Sequence, residues 1–348
     1  MKLIQTMMLM TLPGILAAFG SFTPEDHTAQ SQNARQTPNT TGTATLLDVP
    51  ASIATIASSI NGEGRIGGRF TSSNGRVHGF ILADGQFTTL DRSATNRLTS
   101  LYGYNDNLIG AGGWGQTNGA GCNAPGTGEC TAFLAYPDGT FRDIVFDDAI
   151  ATMAFTASDR GDVVGQYTAR NADGTTRVHG YLLKGCARAD DASDGDDGGG
   201  LPADRCAKSN RITMDPPNAT LTYTKAINNR RQAVGHAFIA TEGKILERAY
   251  VHDANDPGSP YVIYNVPNAK SSVFNGITSN GTIVGQFIDA AGSQHGFAVR
   301  YRKGVFSAPV QVDVPGAAAT IVRGRNSDGQ MVGQAITPDN HSHGFIYH

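Results

Sequence analysis

Lys225, Arg323, Tyr102 and His236 are the side chains of this sequence that most readily suggest chemistry. A pair of cations can hold a carboxylate or another anion, and a tyrosine or histidine beside it can move a proton. These residues fall in two columns. Ser58, Tyr102, Phe155, Lys225, Asn275 and Arg323 each stand three positions before an Asn-type turn residue. Arg69, Gln166, His236, Gln286 and Gln334 each follow a glycine that closes a short apolar phrase. Neighbouring columns stay small or apolar while the first varies in size and charge, as a ligand site does when it breaks a repeat. Arg69, Lys225, Asn275 and Arg323 are therefore the candidate ligand-binding residues, with Tyr102 and His236 as candidate proton-transfer groups. Trp114 is the only tryptophan. It stands in a Gly-rich segment where it could stack on a sugar ring or equally pack the loop.

The elements that position these residues are repeats. The turn phrase runs N-G-E-G-R-I-G-G from Asn61 and N-D-N-L-I-G from Asn105, then recurs from Ser158, Asn228, Thr278 and Asn326. Its closing glycines are Gly68, Gly110, Gly165, Gly235, Gly285 and Gly333, spaced by 42, 55, 70, 50 and 48 residues. On this alignment the second unit has a shortened turn. A second phrase follows in each unit, H-G-F or H-G-Y at His78, His179, His295 and His343, with T-A-F at Thr131 and R-A-Y at Arg248. A third phrase carries Asp91, Asp215, Asn265 and Asp313.

Each unit reads as four short strands, the first two joined by an Asn/Asp-Gly hairpin signal. Four-stranded units of about 40–50 residues, repeated four to eight times, are the pattern of a β-propeller. The fold class expected is all-β, a six-bladed β-propeller. The last unit stops at His348 after its third strand, and the missing fourth appears as T-A-T-L-L-D-V-P from Thr43 to Pro50. The N-terminal strand is thus expected to close the last blade and remove its open edge.

These phrases resemble the extracellular HAF-repeat family, whose units read G-I-N-x-x-G-x-I-V-G, then H-G-F, then D-V-P-G-A. The likeness runs from Thr45 to His348 and is greatest at D-V-P-G-A-A-A-T from Asp313; units two and four lack the H-G-F histidine. The resemblance implies a propeller-like fold and export, and no particular activity.

Residues 1–20 read as a secretory signal peptide and 21–42 as a disordered polar leader, with one propeller domain over 43–348. A chain so addressed is secreted, and its four cysteines fit an oxidising compartment. They fall in two close pairs, Cys122 with Cys130 and Cys186 with Cys206, each read as a staple across a long loop. The acidic run from Asp190 to Asp197 lacks the spacing of a calcium loop and reads as solvated. Among 348 residues, 43 are Gly and only 16% are charged, which suits many short strands and tight turns. The net charge of −3 argues against nucleic acid as a partner, and no segment after the leader is apolar and long enough to span a membrane.

The repeated threonines (Thr55, Thr99, Thr152, Thr222, Thr320, with Ser272) and histidines read as scaffold, because histidines spread around a ring cannot meet at one ion. No familiar catalytic string is present. The expected protein is a monomeric secreted binding module without cofactor, recognising a glycan or another extracellular small ligand on the face that carries the blade connections. The alternative is an axial-site enzyme. A lyase would use Lys225 or Arg323 to neutralise a uronate, with Tyr102 or His236 moving the proton, and a natural-product cyclase is a further option. A hydrolase would need paired carboxylates, which the columns lack.

Overall fold

The computed structural model describes residues 42–94, 97–115, 130–187 and 205–348. The expected signal peptide, the leader up to residue 41, Cys122 and the acidic run lie outside them. Every strand pairs in order with the next in its own blade. Blade 1 comprises β2 (Ser52–Ile60), β3 (Ile66–Ser72), β4 (Val77–Ala83) and β5 (Gln86–Leu90). Blade 2 comprises β6 (Leu98–Tyr104), β7 (Gly110–Gly115), β8 (Cys130–Ala135) and β9 (Phe141–Ile144). Blade 3 holds β10 (Ala149–Ala157), β11 (Val163–Arg170), β12 (Thr176–Leu183) and β13 (Arg211–Thr213). Blade 4 holds β14 (Ala219–Ile227), β15 (Gln232–Thr241), β16 (Lys244–Asp253) and β17 (Val262–Tyr264).

Blade 5 has β18 (Ser271–Ile277), β19 (Thr282–Ile288), β20 (Gln294–Arg302) and β22 (Val310–Val312), with the short β21 (Val305–Phe306) also on β20. Blade 6 has β23 (Ala319–Arg325), β24 (Met331–Ile336) and β25 (Ser342–Tyr347), and its fourth strand is β1 (Ala44–Leu47). The pairing of β1 with β25 runs from Ala44 opposite Tyr347 to Leu47 opposite Gly344. The innermost strands β2, β6, β10, β14, β18 and β23 neighbour one another in sequence, and β23 returns to β2. The fold is a closed six-bladed β-propeller. Single parallel bridges, Val77 with Leu98 and Gln294 with Ala319, also join blades 1 and 2 and blades 5 and 6.

The aromatic of each second phrase supplies the core. Phe80, Phe133, Tyr181, Tyr250, Phe297 and Phe345 are all fully buried, each worth on the order of 2 kcal/mol from its area alone. The closing glycines leave room for them: a Cβ on Gly68 would lie 2.6 Å from the Phe80 ring, and one on Gly333 2.7 Å from Phe345. In blade 2 the residue in this place is Gly112, opposite Leu101, and not Gly110. The turn there is therefore not shortened. The run G-A-G-G offers several glycines, and only strand register selects among them.

The turns themselves follow one plan. Asn61, Asn105, Asn228 and Asn326 each use Oδ1 to accept the backbone N–H four residues on. Ser158 and Thr278 do the same with a hydroxyl. Three of the asparagines also donate Nδ2 to the carbonyl of the equivalent turn residue in the next blade: Asn61 to Asn105, Asn105 to Ser158 and Asn228 to Thr278.

The histidines and aspartates form pairs. Nδ1 of His78, His179, His295 and His343 lies 2.9, 2.7, 2.9 and 2.7 Å from Asp91, Asp215, Asp313 and Asp48 respectively. The threonine column reaches back to the residue after each third-phrase Asp or Asn: Thr55, Thr99, Ser272 and Thr320 accept the N–H of Val49, Arg92, Val266 and Val314. Cys186 and Cys206 are disulfide-bonded, and Cys130 is bonded as well, so no described cysteine is free. No helix among the described residues is long and apolar enough to cross a membrane.

Candidate functional site

Each innermost strand carries a register shift before its turn, between Ala57 and Ser59, Leu101 and Gly103, Ala154 and Thr156, Thr224 and Ala226, Phe274 and Gly276, and Val322 and Gly324. The residue skipped in each blade is the variable column: Ser58, Tyr102, Phe155, Lys225, Asn275 and Arg323. A β-bulge leaves one residue unpaired and re-aims its side chain, and here all six bulge residues line one axial cavity of about 190 Å³. Small residues follow the bulge in every blade (Ser59, Gly103, Thr156, Ala226, Gly276, Gly324), so the innermost strands approach closely at this level.

The cavity is cationic. Arg69 from β3 joins Lys225, Arg323 and Arg325 in its wall, and no carboxylate among the described residues lines it. Arg323 donates Nη2 to Gln334 Oε1 at 2.8 Å, while its Nε and the Nη1 of Arg69 are buried without a hydrogen-bond partner. The Arg69 guanidinium carbon sits 5.0 Å from the Tyr102 ring centre, and Tyr102 packs edge-on against Phe155 at 5.3 Å. Lys225 Nζ lies 3.8 Å from the Phe155 ring centre. Asn275 donates Nδ2 to the carbonyl of Val322 at 2.9 Å, which ties blade 5 to blade 6. Burial, then the charge of Arg69, brings the Arg323 guanidinium down to about 9. Burial, then Arg323 and Arg69, brings the Lys225 ammonium down to about 7. Like charges held together out of water favour any anion that enters.

The lining residues come from the C-terminal ends of the innermost strands, and the space continues past Ile60, Tyr104, Ala157, Ile277 and Arg325 to the ring of hairpin turns. The cavity therefore opens toward the turns, at the end opposite the blade connections where the ligand face was expected.

Two of the candidate residues lie elsewhere. Trp114 donates Nε1 to Asp143 at 3.0 Å, and Arg92, bonded to both oxygens of Asp143, covers the indole at 5.6 Å. Those contacts spend the ring on packing blade 2. His236 stacks on Tyr223 at 4.7 Å on β15, outside the cavity wall. Burial, then the charge of Lys225, holds its pKa well below the usual histidine range, and burial raises that of Glu247, 3.6 Å away. The imidazole is thus neutral, and its contact with Glu247 is not an ion pair. Arg325 and Tyr104, two positions after Arg323 and Tyr102, were not picked out from the sequence; strand alternation alone puts them on the same side.

No family model matches this chain, and no curated protein does. Similar solved structures include AofleA from Arthrobotrys oligospora, at 12% identity over 89% of this chain and 87% of that one, TM-score 0.49. An ulvan lyase of family PL25, bound to -[GlcA(1-4)Rha3S]-, matches at 13% identity over 85% and 78%, TM-score 0.44. A six-bladed β-propeller fucose-binding lectin of Aleuria aurantia matches at 10% over 87% and 93%, TM-score 0.43. Likeness this distant says nothing of ligand or activity, and the fold stands on the strand pairing above.

Proposed function

We propose that this protein is a secreted binding propeller whose axial cavity takes a small carboxylate-bearing ligand, an acidic sugar or sugar acid. One observation carries the reading: Arg69, Lys225 and Arg323 come from three different blades to one cavity that no carboxylate among the described residues lines. Leaving like-charged, half-buried cations without a counter-charge costs stability, and a bound anion offsets that cost. Tyr102 and Phe155 supply flat apolar surface beside the cations, and Ser58, Ser59 and Asn275 supply polar groups, the mixture a sugar ring uses. The cavity volume is below the ~300–1,000 Å³ usual for drug-sized ligands, which suits one ring or a chain end.

Titration calorimetry of the full chain with glucuronate, galacturonate and gluconate, against glucose and galactose, tests this. The acids bind and the neutral sugars bind at least tenfold more weakly, and Arg69→Ala and Arg323→Ala each weaken the acids by about tenfold or more, as loss of a charged hydrogen bond predicts. Equal affinity for acid and neutral sugar, or acid binding unchanged in both variants, overturns the reading.

A further inference from the structure

Lys225 is set apart from the other cations of the cavity by what surrounds its amine. Its stem leaves β14 at the bulge, and Nζ rests 3.8 Å from the Phe155 ring centre and 5.2 Å from that of Tyr223. Among the described residues Nζ has no hydrogen-bond or ion-pair partner, whereas Arg323 is held by Gln334. The titratable groups around it are Arg69 from β3, Arg323 from β23, Tyr223 from its own strand, His236 from β15 and Glu247 from β16. Two of these are guanidinium cations. His236 is neutral, and the charge of Glu247 favours the ammonium less than burial and the two guanidiniums oppose it. An amine kept among aromatic rings and beside other cations is the setting in which lysine becomes a nucleophile.

We propose that Lys225 forms an imine with the keto carbon of a small 2-oxo acid or 2-oxo sugar acid, whose carboxylate is held by the Arg69 and Arg323 guanidiniums. The proposal rests on the anion-binding reading of the same cavity and deepens it by naming the reactive group of the ligand. A 2-oxo acid places its carbonyl one bond from its carboxylate, so a molecule held by the guanidiniums presents its electrophilic carbon within the small cavity that the amine shares.

In the step itself the nitrogen lone pair attacks the keto carbon and a C–N bond forms. The carbonyl π pair moves to oxygen, which takes up a proton, giving a carbinolamine. The nitrogen then expels that oxygen as water, and the two protons the amine loses leave with it. Amine and ketone give imine and water, with no change in oxidation state. Tyr102, which lines the same cavity, carries the hydroxyl that can pass the proton.

The test is reductive trapping. The full chain is incubated with pyruvate or glyoxylate and sodium cyanoborohydride at pH 7.5, then read by intact mass and peptide mapping. One adduct per chain is expected, on the peptide containing Lys225. Lactate, which has the carboxylate but no carbonyl, gives no adduct and slows trapping. Arg323→Ala slows it at least tenfold, Lys225→Arg abolishes it, and the surface variant Lys270→Arg keeps it. Mapping of the unaltered chain decides the matter even if Lys225→Arg folds poorly. Adducts spread evenly over the lysines, or none on a chain that binds gluconate by calorimetry, overturn the imine and leave anion binding standing. A chain that neither binds gluconate nor forms the adduct overturns both.

Discussion

His343 Nδ1 and Asp48 Oδ2 lie 2.7 Å apart although 295 residues separate them along the chain. The pair repeats the His–Asp contact of blades 1, 3 and 5, but here it joins the residue just after the first described strand to the last strand. Both side chains are partly exposed, so the contact marks ring closure more than it enforces it. Asp48→Asn is expected to cost no more than about 1 kcal/mol, the scale of an exposed pair. Removing residues 44–48 bares the edge of β25 and the core beneath it. Thermal melts should show a small shift for the substitution and a large one for the deletion, with chain association through the free edge in light scattering.

Thr320 and Thr222 occupy equivalent places with opposite consequences. Thr320 Oγ1 accepts the Val314 N–H at 3.0 Å. The residue facing Thr222 in the same role is Pro216, which has no N–H, and the Thr222 hydroxyl is buried without a partner. Thr320→Val therefore strands a buried N–H and should cost ~1–3 kcal/mol, while Thr222→Val should be neutral or stabilising. Urea denaturation of the two variants checks the sign of each.

Lys225 makes two pH-dependent predictions. Its ammonium loses the proton near 7 in the fold, against 10.5 for the free group. Between those values the unfolded chain binds more protons, so stability contributed by this residue rises with pH and is lost as pH falls through about 7. Lys225→Met should raise the melting temperature by roughly 2–6 °C at pH 6, at about 1.5 °C per kcal/mol for a domain this large, and by little at pH 10. Gluconate binding should move the other way. It weakens severalfold from pH 6 to 8 as the amine discharges, and a flat profile in Lys225→Met identifies the group.

The Cys186–Cys206 bond closes a segment whose ends are 20 residues apart. Cys206→Ser with Cys186→Ser should cost about 3 kcal/mol by the loop-entropy scale. Calorimetric melts of the double variant against the unaltered chain measure it, and anion binding should persist because neither cysteine lines the cavity.

Much of the architecture was legible because it is local and repeated. An Asn-led turn, a buried aromatic two positions after each histidine and a truncated final unit all follow from nearest-neighbour chemistry, and six copies make the pattern visible. The variable column was legible too, since a residue that differs where its neighbours agree stands out. Register was not. Gly110 and Gly112 are indistinguishable in a glycine run until β6 pairs with β7. The roles of Trp114 and His236 were equally hidden, because an indole partnered by Asp143 and an imidazole stacked on Tyr223 depend on contacts across strands.

By itself, then, the sequence determined six blades, their order and the strand that closes them, because hydrogen-bonding turns and alternating apolar residues act over short range. Only the tertiary structure decided that Arg69, Lys225 and Arg323 share one cavity, and that it opens toward the hairpin turns. Those facts arise from a bulge in every innermost strand and from closure of the ring, which bring together residues that no sequence neighbourhood connects.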